Sequence, residues 1–190
     1  AGGGGGVGVV GWFVWSGRVH RRVSDVSGVQ TGALAIVRLG LIGGGCEKGK
    51  IVSAIRESRI HNIELIEPVR REELAKYYAE TDAFFVHLKN IEMFKKTIPS
   101  KIFEYVATGK PVLYGLQGVA KEIMNELQGP YLAFEPGDVH SLLASLDVLH
   151  GTLKNPRKLN GLESTEKLKE KYLRSVLSNR FADVIEESVE

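Results

Sequence analysis

Thr97-Ile-Pro-Ser-Lys-Ile-Phe-Glu-Tyr-Val-Ala-Thr-Gly-Lys-Pro-Val-Leu-Tyr114 is the stretch around which this chain is organised. Pro99 leads into Ser100, a residue type that favours helix N-caps. Gly109 stands where a left-handed C-cap residue belongs, and Pro111 prevents the helix from continuing. The spacing predicts a short helix followed by a buried strand over Pro111–Tyr114. On that helix Ile102, Val106 and Gly109 share one face, joined by Tyr105. Lys101, Glu104 and Thr108 form another stripe. One reading is a surface helix with an ordinary ion pair, worth about 0.2–0.5 kcal/mol. The other is a ligand edge, with an ammonium, a carboxylate and the first amides of the helix facing an anion. The rest of the chain decides between them.

Outward from this stretch, short apolar runs alternate with amphipathic segments. Strands are expected at Trp12–Ser16, Ala33–Ile42, Ile63–Ile66, Ala83–Leu88, Pro111–Tyr114 and Tyr131–Phe134. Helices are expected at Glu47–Ser58, Arg71–Ala79, Val119–Leu127 and from the capping Asp138 through Leu149. Two more follow the polar segment Gly151–Gly161, over Glu163–Arg174 and Ser178–Ser188. Lys89–Thr97 reads as a polar loop. This alternation specifies an α/β fold: a Rossmann-like, doubly wound parallel sheet of about six strands with C-terminal helices. The expected organisation is a Gly-rich start (1–11), one sheet domain (12–162) and closing helices (163–190). Ligands of such sheets bind beyond the carboxyl ends of the strands. The loops that matter are then Gly17–Arg22, Gly43–Lys48, Glu67–Arg71, His87–Ser100 and Gly115–Val119.

Composition narrows the function. The 190 residues are 43% hydrophobic and 25% charged, with a net charge of +2. That charge is too small and too scattered for nucleic-acid binding. The single Cys46 excludes an internal disulfide and a cysteine metal cluster. No apolar run reaches membrane-span length, and no signal peptide is apparent. A cytoplasmic or membrane-peripheral location remains.

Several local motifs fail on inspection. Gly6, Gly8 and Gly11 match the dinucleotide fingerprint by letter, but a strand-like run follows them where a helix is required. Gly44–Lys50 resembles a phosphate loop, yet Ile51 replaces the Ser or Thr that holds magnesium. Asp82 is the only weak candidate for a supporting carboxylate. The five histidines show no metal-ligand spacing. His87 alone ends a strand on the ligand side. Glu92 could pair with Glu104 for acid–base work, but it stands among Lys89, Lys95 and Lys96 and reads as part of a solvated loop. No metal site is expected.

Five segments carry a resemblance: Leu41–Gly45, Asn62–Leu74, Tyr78–Phe84, Ile98–Val112 and Phe134–Asp138. In this order and spacing they resemble the C-terminal, donor-binding half of a GT-B glycosyltransferase of the retaining family 4 (group 1). The run Pro99-Ser-Lys-Ile-Phe-Glu104 is the specific part. It is most similar to the branch of N-acetylfucosamine transferases in surface-polysaccharide synthesis.

The resemblance implies a set of roles. Glu104 would bind the ribose hydroxyls of a nucleotide-sugar. Ser100, Lys101, Ile102 and Arg18 would meet the diphosphate, and Pro68, Val69 and Arg70 the base. Lys96 stands where the family usually has a second glutamate that contacts the sugar. The expected donor is a nucleotide-diphosphate sugar, UDP-linked above all, with no separate cofactor. The acceptor is a saccharide or lipid-linked glycan. GT-B enzymes use two such domains and this chain is long enough for one. The acceptor-binding domain is therefore expected to be missing, and the chain alone to be inactive. The rival readings are half of a GT-B nucleotide-aminosugar epimerase and a non-catalytic nucleotide-binding module.

Overall fold

The computed structural model describes residues 11–15 (backbone), 38–45, 47–154 and 161–187. Six strands, β1 (Gly11–Trp15), β2 (Arg38–Ile42), β3 (Ile63–Ile66), β4 (Ala83–His87), β5 (Val112–Gly115) and β6 (Tyr131–Ala133), make one sheet. The helices are α1 (Lys48–Glu57), α2 (Arg71–Glu80), α3 (Glu92–Lys95), α4 (Lys101–Val106), α5 (Val119–Leu127), α6 (Val139–Leu153), α7 (Leu162–Tyr172) and α8 (Arg174–Glu187). The strand order is β3-β2-β1-β4-β5-β6, that of a doubly wound Rossmann-like sheet. The α/β class and the six strands agree with the sequence reading.

The expectation of a wholly parallel sheet does not hold. β2–β3, β4–β5 and β5–β6 are parallel, but β1 runs antiparallel to both neighbours. Gly11 lies opposite Ile42 and Trp15 opposite Arg38. An apolar run can pair in either sense, so hydrophobic patterning carries no information about strand direction. One consequence is positional. The described end of β1 lies at the amino ends of β2 and β4, away from the carboxyl edge where ligands of such sheets gather.

The alternation of side chains along the strands builds two cores. Phe84, Val86, Val112 and Tyr114 face one side, with Ile102, Tyr105 and Val106 of α4 and Ala120, Ile123, Met124 and Leu127 of α5. Ala83, Leu113 and Phe134 face the other, with Leu146 and Leu149 of α6. Leu142 and Leu143 of α6 pack at the margin of that second core, as the helical spacing predicts. Asp138 caps α6 through Oδ1, which accepts from the backbone N–H groups of His140 (2.8 Å) and Ser141 (3.2 Å).

The opening stretch folds largely as its sequence indicates. Ile102, Tyr105 and Val106 are fully buried. Gly109 takes φ +70°, the left-handed conformation expected of its position. Its backbone touches that of Gly161, where a Cβ would approach Gly109 O to 2.2 Å. That close approach lets α7 dock on the end of α4, and Ser164 and Leu168 of α7 are buried there. By contrast α8 buries no residue, and Leu177, Phe181 and Val184 remain exposed.

Other details differ. Lys89–Thr97 contains the single-turn helix α3, held by a Glu92–Lys95 ion pair of 2.7 Å. Ser100 occupies the N-cap position but makes no capping bond with its side chain. Its backbone is already helical, because Pro99 O accepts the Ile102 N–H at 3.1 Å and starts the turn earlier. The Thr108 hydroxyl donates to Tyr105 O at 2.6 Å, so it closes the helix and is not presented to a ligand.

Candidate functional site

The site is built where α2 and α4 lie side by side on one face of the sheet. Leu74, Tyr77 and Tyr78 of α2 lean toward the core, as their spacing predicts. Tyr78 packs edge-on to Phe84 (5.2 Å between ring centroids) and to Tyr105 (5.9 Å). Phe84 and Tyr105 are themselves stacked at 4.4 Å. The Tyr78 ring is therefore wedged among core aromatics while its hydroxyl emerges at Glu104.

Glu104 receives two donors on one oxygen. Tyr78 Oη donates to Oε2 at 2.7 Å and Lys101 Nζ to the same atom at 2.8 Å. Oε1 accepts no hydrogen bond among the described residues. The Glu104 side chain is 43% exposed, and that of Lys101 22%. Partial burial pushes the Glu104 carboxyl upward. The hydrogen bonds from Lys101 and Tyr78 and the charges of Lys101 and Arg71 outweigh it and hold the carboxyl below its ordinary value. Burial, and then the bond to Glu104, push the Tyr78 phenol far above its usual range, so it remains a donor. Sequence reasoning placed Lys101 and Glu104 here and missed Tyr78, whose spacing marks it only as a core residue.

The Lys101–Glu104 ion pair is thus real, and it sits on an anchored carboxylate. An ammonium has three N–H donors. Lys101 directs one at Glu104 and lies 3.5 Å from Tyr78 Oη, and its third has no acceptor among the described residues. The N–H groups of Ser100 and Lys101 have no backbone acceptor among the described residues. Ile102 differs: its side chain is fully buried and its N–H is held by Pro99 O.

The loop Pro68, Val69 and Arg70 follows β3 and opens α2. Pro68 and Arg70 are exposed, while Val69 leans on the core. The Arg70 N–H donates to Glu73 Oε2 at 3.3 Å. The next residue, Arg71, lies close enough for its charge to act on Glu104, which places this loop and the carboxylate on one flank. Arg18 falls outside the described residues, as do Cys46 and the first two glycines of Gly6, Gly8 and Gly11.

The competing motifs find ordinary uses. Lys48 pairs with Glu67, and Lys50 with Glu47 at 2.9 Å, so the turn at Gly44 does not direct its cations at an empty cradle. Asp82 precedes β4 at the amino edge, opposite the end where that turn lies. His87 ends β4 against the ring of Phe134, at 5.7 Å, and burial lowers its pKa. Lys96 is exposed at the end of α3. Among the described residues no cluster of three His, Cys, Asp or Glu could hold a metal ion, and no helix is long and apolar enough to cross a membrane.

Lys110 has a structural role that its sequence position does not reveal. Its Nζ donates to the carbonyls of Tyr78 (2.8 Å), Ala79 (2.7 Å) and Thr81 (2.6 Å). It ties the C-terminal turn of α2, and the backbone of Tyr78 itself, to the segment between α4 and β5.

Comparison with known proteins agrees with this architecture. The sequence profile described as glycosyl transferases group 1 matches residues 7–151. Among solved structures, the crystal structure of Anabaena Alr3699/HepE in complex with UDP-glucose is similar in fold, with a TM-score of 0.58 at 13% identity. The match covers 78% of this chain and 40% of that one, so the chain spans less than half the length of its structural relative. No curated protein sequence matches.

Proposed function

The chain belongs to the group 1 glycosyl transferases, and on that premise we propose that it is the donor-binding half of a retaining, nucleotide-sugar-dependent glycosyltransferase. The donor is a nucleotide-diphosphate sugar, UDP-linked in the first instance. The acceptor is a saccharide or lipid-linked glycan of surface-polysaccharide synthesis. The acceptor-binding domain lies outside this chain, which alone transfers little or no sugar.

The observation that carries this reading is the ionised Glu104 carboxylate, which has one oxygen held and, among the described residues, no donor on the other. A ribose diol offers hydroxyl donors, and an open carboxylate oxygen accepts them with charge-assisted strength. Lys101 and the N–H groups of Ser100 and Lys101 meet the diphosphate, the Ile102 amide shapes the turn, and Pro68, Val69 and Arg70 flank the base. Arg18 is assigned to the diphosphate by resemblance alone. In the transfer step the bond from the sugar's anomeric carbon to the diphosphate breaks, an acceptor hydroxyl oxygen bonds to that carbon and gives up its proton, and the electron pair of the broken bond leaves as negative charge on the departing diphosphate. An ammonium beside that diphosphate lowers the barrier electrostatically. The carboxylate also accepts a Lys101 N–H, which keeps the cation beside the nucleotide.

The test is a titration of the protein with UDP, GDP, ADP and their sugars while backbone amide resonances are followed. Shifts should centre on residues 98–104 and on 68–71, and Glu104→Ala should abolish them. A folded protein that stays silent toward every nucleotide at millimolar concentration would overturn the proposal.

A further inference from the structure

We propose that Tyr78 is a positioning residue of this site: with Lys101 it fixes Glu104 Oε2, so that Oε1 is the oxygen that takes a ribose hydroxyl. The inference rests on the donor-binding reading of Glu104 and adds a residue and an atom to it.

Three features lead there. First, the two protein donors converge on one oxygen, at 2.7 Å and 2.8 Å, although a carboxylate offers two. This fixes the carboxylate plane and leaves the lone pairs of Oε1 unused among the described residues. Second, the two donors differ in stiffness. The Lys101 ammonium ends a flexible four-carbon stem. The Tyr78 ring is clamped by Phe84 and Tyr105, and its backbone carbonyl is held by Lys110. When a diphosphate draws Lys101 toward itself, Tyr78 still holds the carboxylate. Third, Tyr78 reaches Glu104 from α2, the helix whose start is the loop at Pro68, Val69 and Arg70. One rigid element thus sets the distance between the base loop and the ribose carboxylate, which a nucleoside must span.

The experiment uses Tyr78→Phe, which keeps the ring and its core contacts and removes only the hydroxyl. The probes are UDP and 2′,3′-dideoxy-UDP, titrated by calorimetry into wild type and variant. A charge-assisted hydrogen bond that holds the carboxylate should make UDP binding about five- to tenfold weaker in the variant. Binding of the dideoxy probe, which lacks the hydroxyls, should be unchanged. Equal weakening of both probes would mark Tyr78 as a general support of the fold and overturn the inference.

A second measurement does not depend on the ligand. The Glu104 carboxyl carbon is followed through an acid titration by NMR in the ligand-free protein. Its midpoint should rise in Tyr78→Phe, and an unchanged midpoint would also overturn the inference. If wild type ignores UDP but the midpoint still rises, the positioning of Glu104 by Tyr78 is supported and the ribose assignment is refuted.

Discussion

Lys110→Met would test how the tie between α2 and the α4–β5 turn sustains the site. The substitution keeps an apolar stem and removes three N–H donors. Their acceptors, the carbonyls of Tyr78, Ala79 and Thr81, lie 2.6–2.8 Å from Nζ. Thr81 is 4% exposed, so its carbonyl recovers little hydration, whereas Ala79 is exposed and its carbonyl rehydrates readily. A charge-assisted bond is worth about 1.5–3 kcal/mol. The cation at a helix C-terminus adds about 0.3–1 kcal/mol. Burial opposes this by disfavouring the ammonium, and it lowers the Lys110 pKa despite the neighbouring Asp82. Weighing these, we expect a loss of about 2–3 kcal/mol, with one bond largely replaced by water and part of the rest offset by relief of desolvation. For a domain of this size that is roughly 4–12 °C in Tm. Denaturant unfolding gives the free energy. Hydrogen exchange of the Thr81 amide, bonded to Tyr77 O at 3.0 Å, reports the last turn of α2. A loss below about 0.5 kcal/mol, or unchanged exchange at Thr81, would refute the reasoning.

Two further outcomes follow from local geometry and charge. Gly118 has φ +59°, and a Cβ there would lie 2.1 Å from Lys95 O, whereas Gly109 has φ +70° with its nearest contact at 3.7 Å. Gly109→Ala should cost about 1 kcal/mol through backbone conformation alone, and Gly118→Ala about 2–5 kcal/mol because the α3 loop must also move; equal urea midpoints would contradict this. The Glu104 carboxyl is held below its ordinary value of 4.5 in the folded protein. Its stabilising contribution is therefore complete above that value and is lost as pH falls through the folded value. The stability gap between wild type and Glu104→Gln should be constant from pH 7 to about 5 and shrink below it, and a gap that does not narrow as pH falls below 4.5 would count against the assignment.

Much of the fold is legible because its signals are local. Asp138 marks the start of α6 and Val119–Leu127 matches α5, since capping chemistry and 3.6-residue periodicity act within a few residues. The buried face of α4 and the left-handed Gly109 follow from spacing and from the absent Cβ. The direction of β1 was not legible, because pairing sense is not encoded in an apolar run. Nor was the use of Tyr78, whose partner Glu104 is 26 residues away, or of Lys110, whose acceptors lie 29–32 residues away.

The sequence by itself determined the α/β class, the positions of most strands and helices, and the coincidence of Lys101 and Glu104 on one stripe of a short helix. These depend on interactions between near neighbours along the chain. Tertiary structure decided that the ion pair is anchored by a tyrosine from another helix, that both of its donors among the described residues fall on one carboxylate oxygen, and that a lysine staples α2 in place. Each of those depends on a hydroxyl or an ammonium reaching an oxygen remote in sequence. Only the packing of α2 against α4 over the Phe84–Tyr105 core sets such distances.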